Sequence, residues 1–285
     1  MPNPIITLDN VSFAYSRGKK WALKNISIQI EEGDCIAVMG ENRSGKTTFC
    51  CLLNGLIPHS LAGRLLGTVT VDGIRTETSP VALLAGKVGM AFEDPEMQIF
   101  TAKVSDEVAF ALENLLMTPE EIRQKVQWAL SAAGLALYAD YPPSALSGGQ
   151  KQRLAIAAAL AMAGKVLVLD EPTSQLDPAG AREVLSLVME LRRKQGMTVI
   201  MATNSGDEAA VFADKIMVLN NGKLAAFDTP RRIFADRKLL ESNGIQCPQV
   251  SEFAVTMAAL GKPLPQFPIN LDEAEKSVVE WYNGN

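Results

Sequence analysis

The chain has one histidine, His59, so any role that needs a histidine falls on that ring. Its four cysteines, Cys35, Cys50, Cys51 and Cys247, show no metal-site spacing. Neighbours such as Cys50 and Cys51 rarely bridge, so the four read as buried reduced thiols. No apolar run approaches the ~20 residues of a membrane span. Met1-Pro2-Asn3-Pro4 lacks a signal-peptide pattern, and a cytoplasmic protein is expected. If it works at a membrane, something else must hold it there. A net charge of −5 lacks the basic balance of nucleic-acid partners. There is no internal repeat and no low-complexity stretch.

What is present is apolar and patterned. Hydrophobic residues make up 47% of 285, enough for one large domain and an appendage. Gly40-Glu41-Asn42-Arg43-Ser44-Gly45-Lys46-Thr47 fits the phosphate-binding pattern G-x-x-x-x-G-K-[ST]. The apolar run 35–39 before it reads as a doubly buried strand, and Thr48-Phe49-Cys50-Cys51-Leu52-Leu53 as an opening helix. Loop N–H groups and the helix end make an anion site. Lys46 can reach the outer phosphates of a nucleotide, and Thr47 can ligate Mg²⁺.

Residues 5–30 alternate at period two, as Ile5–Leu8, Val11–Tyr15 and Ile26–Ile30, and suggest antiparallel strands. Tyr15 stands where strand gives way to the loop 16–20; it could stack on a base or be an ordinary core or surface tyrosine. Another strand at 68–73 closes on an Asp-Gly turn. His59 is expected in a loop past the phosphate-loop helix. Residues 104–134 read as two helices, the first with Val104, Val108, Phe110, Ala111 and Leu115 on one apolar face. Thr118-Pro119-Glu120-Glu121 starts the second, and Gly134 ends it. Ser147 is suited to cap an alanine-rich helix running to about Ala163 and closed by Gly164. Val166–Leu169 delivers Asp170 and Glu171 at a strand end, where Asp170 would hold Mg²⁺ and Glu171 would act as general base. Strand and helix alternate from 35 to 219, which predicts an α/β fold with a mostly parallel sheet covered by helices on both faces. After about residue 240 prolines and acids gather in a small lobe, 241–285, with helices at 250–260 and 271–282.

GENRSGKTT, LSGGQ, KVLVLDEPTSQLDP and MATNSGDEAA, in this order, resemble the ATP-binding cassette ATPases across residues 5–235. The resemblance implies a P-loop ATPase domain over 1–240, with an N-terminal antiparallel subdomain and a helical subdomain at about 93–163. It implies a sandwich dimer binding ATP and Mg²⁺. One subunit's Gly40, Glu41, Asn42, Arg43, Ser44, Gly45, Lys46, Thr47 and Thr48 would face the other's Leu146, Ser147, Gly148, Gly149 and Gln150. Tyr15 would stack on adenine, Thr47, Glu93 and Asp170 would hold the metal, and Asp177 would lie in the D-loop. Residues 92–100 and 106–114 are similar to the ATPase subunits of energy-coupling factor importers of vitamins and transition-metal ions. That family implies a peripheral protein on the cytoplasmic membrane face. A transmembrane coupling protein would dock beside 93–100, a membrane protein would capture substrate, and the C-terminal lobe would help pair two ATPases.

Three positions depart from the family pattern: Glu93 replaces Gln, Asn204 replaces the switch His, and Arg43 replaces Gly. All three face this chain's own ATP, whereas LSGGQ is intact. The expectation is a slow own site and a heterodimer, in which LSGGQ completes a faster partner site. A homodimer with tolerated substitutions is the alternative. A regulatory subunit without useful hydrolysis, or a soluble cassette acting on DNA or ribosomes, are further classes. The last usually carries a long coiled-coil insertion or two cassettes, and neither is seen here.

Overall fold

A computed structural model describes residues 4–18 and 20–284. Met1, Pro2 and Asn3, on which the N-terminal reading rests, lie outside the described residues, as do Lys19 and Asn285. Ile5–Leu8 and Val11–Tyr15, expected as separate segments, join in one strand, β1 (Ile6–Tyr15). Asn10 takes φ 50°, and the pairing shifts register there instead of breaking. β2 (Leu23–Ile30) flanks β1, and β3 (Cys35–Met39) enters a second sheet with all five residues buried. α1 (Lys46–Leu53) and the short α2 (Leu56–His59) follow.

His59 closes α2, a kinked four-residue turn whose Ile57 is extended (φ −101°, ψ 124°), so it sits in the irregular connection past α1. Gly55, at φ 76°, turns the chain after α1, and His59 Nε2 lies 2.8 Å from the Thr76 carbonyl. β4 (Gly63–Val71) pairs with β1, and β5 (Ile74–Arg75) returns through Asp72 (φ 48°) and Gly73 (φ 76°). Two successive left-handed residues suit a tight hairpin. The sheet order is β2-β1-β4-β5.

α3 (Val81–Ala85) and β6 (Val88–Ala91) lead to α4 (Val104–Asn114), α5 (Pro119–Ala132) and α6 (Gly148–Met162). Thr118 caps α5 in a reciprocal capping box with Glu121. The buried stripe of α4 is Val104, Glu107, Val108 and Leu112, so the expected apolar face is rotated and Phe110 points outward. Glu107 can be buried because its Oε2 accepts the backbone N–H groups of Phe100 (3.1 Å) and Thr101 (3.0 Å). α6 gives way to extended backbone at its C-cap Ala163 (ψ 130°), within a residue of the expected end. Gly164 answers a packing need: a Cβ there would meet the Gly86 carbonyl at 2.8 Å.

The remaining elements are β7 (Val166–Asp170), α7 (Pro178–Gln195), β8 (Thr198–Ala202), α8 (Gly206–Phe212), β9 (Lys215–Asn220) and β10 (Lys223–Asp228). Four helices close the chain: α9 (Pro230–Ala235), α10 (Arg237–Asn243), α11 (Gln249–Ala259) and α12 (Leu271–Gly284). The second sheet runs β10-β9-β3-β8-β7-β6, parallel except for the β9–β10 hairpin. Along β7, Leu167 and Leu169 pack with Val108 and Leu154 of the helical region, while Val166 and Val168 face the core that holds Phe49 and β1. The helices α4 to α6 thus cover one face, and α1 with the antiparallel sheet covers the other. A third cluster joins Met39 and Val218 to Phe234 and Leu240, with Phe267 and Ile269 packed against it. The C-terminal segment is seated against β3 and β9 of the second sheet.

Candidate functional site

Parallel strands bring their C-terminal ends to one crevice. β3 delivers Gly40, β7 delivers Asp170 and Glu171, and β8 delivers Thr203 and Asn204. The loop 40–45 folds tightly because glycines stand where nothing larger fits. At Gly40 (φ 150°) a Cβ would lie 2.2 Å from the Leu219 carbonyl. At Gly45 (φ 113°) it would lie 2.8 Å from both the Ala22 carbonyl and Leu23 Cδ2. Arg43 is in the left-handed region at φ 69°.

Lys46 is 6% exposed and already paired. Its Nζ donates to the Gly40 carbonyl (2.9 Å) and Asn204 Oδ1 (2.9 Å), and lies 3.3 Å from Glu171 Oε1. Asn204 Nδ2 in turn donates to Glu171 Oε1 (3.0 Å) and Asn42 Oδ1 (3.3 Å). Glu171 sits at φ 47°, with its N–H on the Ala202 carbonyl at 3.0 Å. The structure thus brings together Lys46, Glu171 and Asn204, which lie far apart in sequence.

These residues line a cavity of about 530 Å³ with Tyr15, Thr47, Thr48, Arg43 and Glu93. The Tyr15 hydroxyl lies 3.0 Å from Thr48 Oγ1, and its ring packs edge-on against Phe13. Burial pushes the Tyr15 phenol above its ordinary value. Asp170 is buried, and desolvation raises its carboxyl pKa despite a Thr47 hydrogen bond; the charges of Glu171 and Glu93 push the same way. Its Oδ1 is buried without a partner. That unsatisfied oxygen, the Thr47 hydroxyl and the Glu93 carboxylate are hard oxygen donors, a set that fits Mg²⁺. Among the described residues no group of three His, Cys, Asp or Glu side chains is placed to hold a metal ion.

Ser147, Gly148, Gly149 and Gln150 do not line that cavity. Ser147 caps α6: it accepts from Gln150 N (3.3 Å), and its own N–H donates to Gln150 Oε1 (2.8 Å). Leu146 is buried and anchors the turn, while a Cβ at Gly148 would meet nothing. This helix end is open to an outside ligand. Asp177 caps α7, accepting from Gly180 N at 2.7 Å.

Three features escaped the sequence reading. A second cavity of about 450 Å³ lies behind the phosphate loop, walled by Glu41, Asn42 and Asn204 and by Gly244, Ile245 and Gln246. Glu107 fixes the loop that carries the exposed Met97 and Phe100, and Phe100 stacks edge-on with Phe110. Lys151, just after LSGGQ, pairs with Glu96. A lone carboxylate inside an otherwise apolar α4 stripe was the one available signal for Glu107.

The family model described as ABC transporter matches residues 23–174. A protein of Pyrococcus abyssi, named for an ABC transporter ATP-binding role, is 44% identical over 245 residues, covering 86% of this chain and 87% of that one. The energy-coupling factor transporter ATP-binding protein EcfA1 of Caldanaerobacter subterraneus is 40% identical, covering 94% of this chain and 96% of its own. Among solved structures, cbiO1 of Clostridium perfringens, described as part of the ABC transporter complex cbiONQ, superposes with a TM-score of 0.73 at 33% identity. That match covers 84% of this chain and 94% of the other.

Proposed function

The chain belongs to the ABC transporter family and is an ATPase coupled to transport; from that premise we propose that it is the ATP-binding subunit of an energy-coupling factor importer of a vitamin or transition-metal ion. Mg-ATP lies in the 530 Å³ cavity, where loop N–H groups and Lys46 hold the outer phosphates and Tyr15 stacks on the base. Thr47, Asp170 and Glu93 hold Mg²⁺, which when bound offsets phosphate charge. Glu171 orients and deprotonates the attacking water.

One observation carries the finer reading. Asn204 occupies the switch position after β8 and bonds to both Lys46 and Glu171. An amide can donate to a γ-phosphate but stays neutral. Losing one transition-state contact of this kind costs roughly 10²–10³ in rate. The own site is therefore slow, and Leu146–Gln150 completes a faster site in a different ATPase subunit. The lobe 241–285 helps pair the two. A transmembrane coupling protein packs on Met97, Phe100 and Phe110, which are exposed beside the site loop. A further membrane protein captures substrate, and the assembly sits at the cytoplasmic face. No helix of the described residues is long and apolar enough to cross a membrane, so attachment falls to those partners.

Asn204 and Glu93 also favour a regulatory reading without useful hydrolysis; Glu171 opposes it, since a retired site need not keep its base. Phosphate release by the pure chain decides. Turnover should be slow alone and rise on adding a partner ATPase. Brisk turnover without a partner, unaffected by Asn204→His, rejects the slow-site reading. Purifying the native assembly from membranes and weighing each subunit tests the heterodimer.

A further inference from the structure

Arg43 is the most conspicuous departure in the phosphate loop. A side chain at φ 69° is disfavoured because Cβ crowds the carbonyl. Such strain persists where the surroundings over-determine it, and it clusters at ligand sites. Arg43 is exposed at the rim of the 530 Å³ cavity. The cavity's other cation, Lys46, is committed to Gly40, Asn204 and Glu171. Arg43 has no hydrogen bond or ion pair with any described residue, although Glu93 and Glu171 line the same cavity. The amides of Asn42 and Asn204 complete that wall and carry no charge.

We infer that Arg43 is a cationic clamp on the phosphates of a bound nucleoside di- or triphosphate, supplying from the loop the positive charge that Asn204 lacks. The inference rests on the reading that this cavity holds nucleotide. A guanidinium presents planar paired donors that match phosphate oxygens. Because the loop lies under the phosphate chain, the clamp acts on diphosphate as well as triphosphate. Its effect is retention of nucleotide, not faster cleavage. An exposed pair of this kind is screened by salt. The site then works as a slow, tightly held nucleotide post beside a faster partner site.

The test is calorimetric titration of the full chain with Mg-ADP and Mg-ATP at low and high salt, with Arg43→Gly, Arg43→Lys and Lys46→Ala. Arg43→Gly should bind both nucleotides about tenfold more weakly at low salt. The gap should narrow at high salt, and Arg43→Lys should recover part of it. Glycine is at ease at φ 69°, so unfolding temperature without nucleotide should not fall. Equal affinity in wild type and Arg43→Gly overturns the clamp. So does a loss seen only in dimer formation, which would assign Arg43 to a partner's acid. A wild type that shows no binding sensitive to Lys46→Ala overturns the nucleotide reading itself, and the clamp with it.

Discussion

Asn204 Nδ2 donates to Glu171 Oε1 at 3.0 Å, so the residue in the switch position and the proposed general base are directly bonded. The same side chain accepts from Lys46 through its oxygen at 2.9 Å. One amide thereby orients two charged groups of opposite sign. Asn204→Asp would place a second carboxylate beside Glu171 and remove the donor. Phosphate release in the assembled transporter should fall by about 10² from that site. Asn204→His should raise it by roughly 10²-fold or more, because it restores a transition-state contact that an imidazole supplies better than a neutral amide.

Arg43→Gly should stabilise the nucleotide-free chain by about 1 kcal/mol, the cost of a side chain in the left-handed region. Denaturant unfolding measures it. Gly45→Ala, in the same loop at φ 113°, should do the opposite, since its Cβ would meet two atoms at 2.8 Å.

Gly89 of β6 lies against α6 so closely that a Cβ would sit 2.0 Å from the Ala159 carbonyl. Gly89→Ala should cost about 2–3 kcal/mol in the same measurement. The backbones of β6 and α6 would have to part, and β6 leads directly into the Glu93 loop.

Lys87 bonds to Asp72 at 2.8 Å and holds its carboxyl below the usual carboxylate range. A depressed folded-state pKa gives stability that is present above the unfolded value, about 3.9, and is lost as pH falls through the folded one. Asp72→Asn should therefore destabilise the chain at pH 7 by about 1 kcal/mol or less, as the pair is partly exposed. The difference from wild type should close as pH drops below about 4. Asparagine accepts φ 48°, so the turn is kept.

Burial pushes the Cys35 and Cys51 thiols up to about 12 and Cys247 to about 11, and raises Cys50 well above its ordinary value. Thiolate, not thiol, is the nucleophile. The folded chain should react slowly with a thiol reagent at pH 8, and all four cysteines should react at once in denaturant.

Elements that carry their own signal were legible in the sequence. The phosphate loop, the Thr118 and Ser147 caps and the Asp-Gly turn after β4 are local patterns of residue type, and each stands where its pattern put it. Arrangement across long separations was not. No local spacing ties Lys46 to Asn204, 158 positions apart, and only the order of β3 beside β8 brings them within hydrogen-bond reach. The α4 face was misread because burial of Glu107 depends on two N–H groups of a preceding loop. Gly89 carried a faint sign, since a glycine inside a strand often marks close backbone approach. The cavity behind the phosphate loop had none, because part of its wall comes from the distant residues 244–246.

That wall ties the tail of the chain to its chemistry. Gly244 takes φ 59°, where a side chain is strained, and a Cβ there would displace the Glu41 carboxylate, whose Oε1 would lie 2.3 Å away. Two residues on, the Gln246 carbonyl presses on Gly206 at the start of α8, where a Cβ would come within 2.2 Å, two positions after Asn204. A truncation ahead of residue 244 would thus strip the backing from both the glycine loop at 40–45 and Asn204. Shortened versions made to simplify biochemistry would report a loosened core, because residues 244–246 and the loops after β3 and β8 support one another.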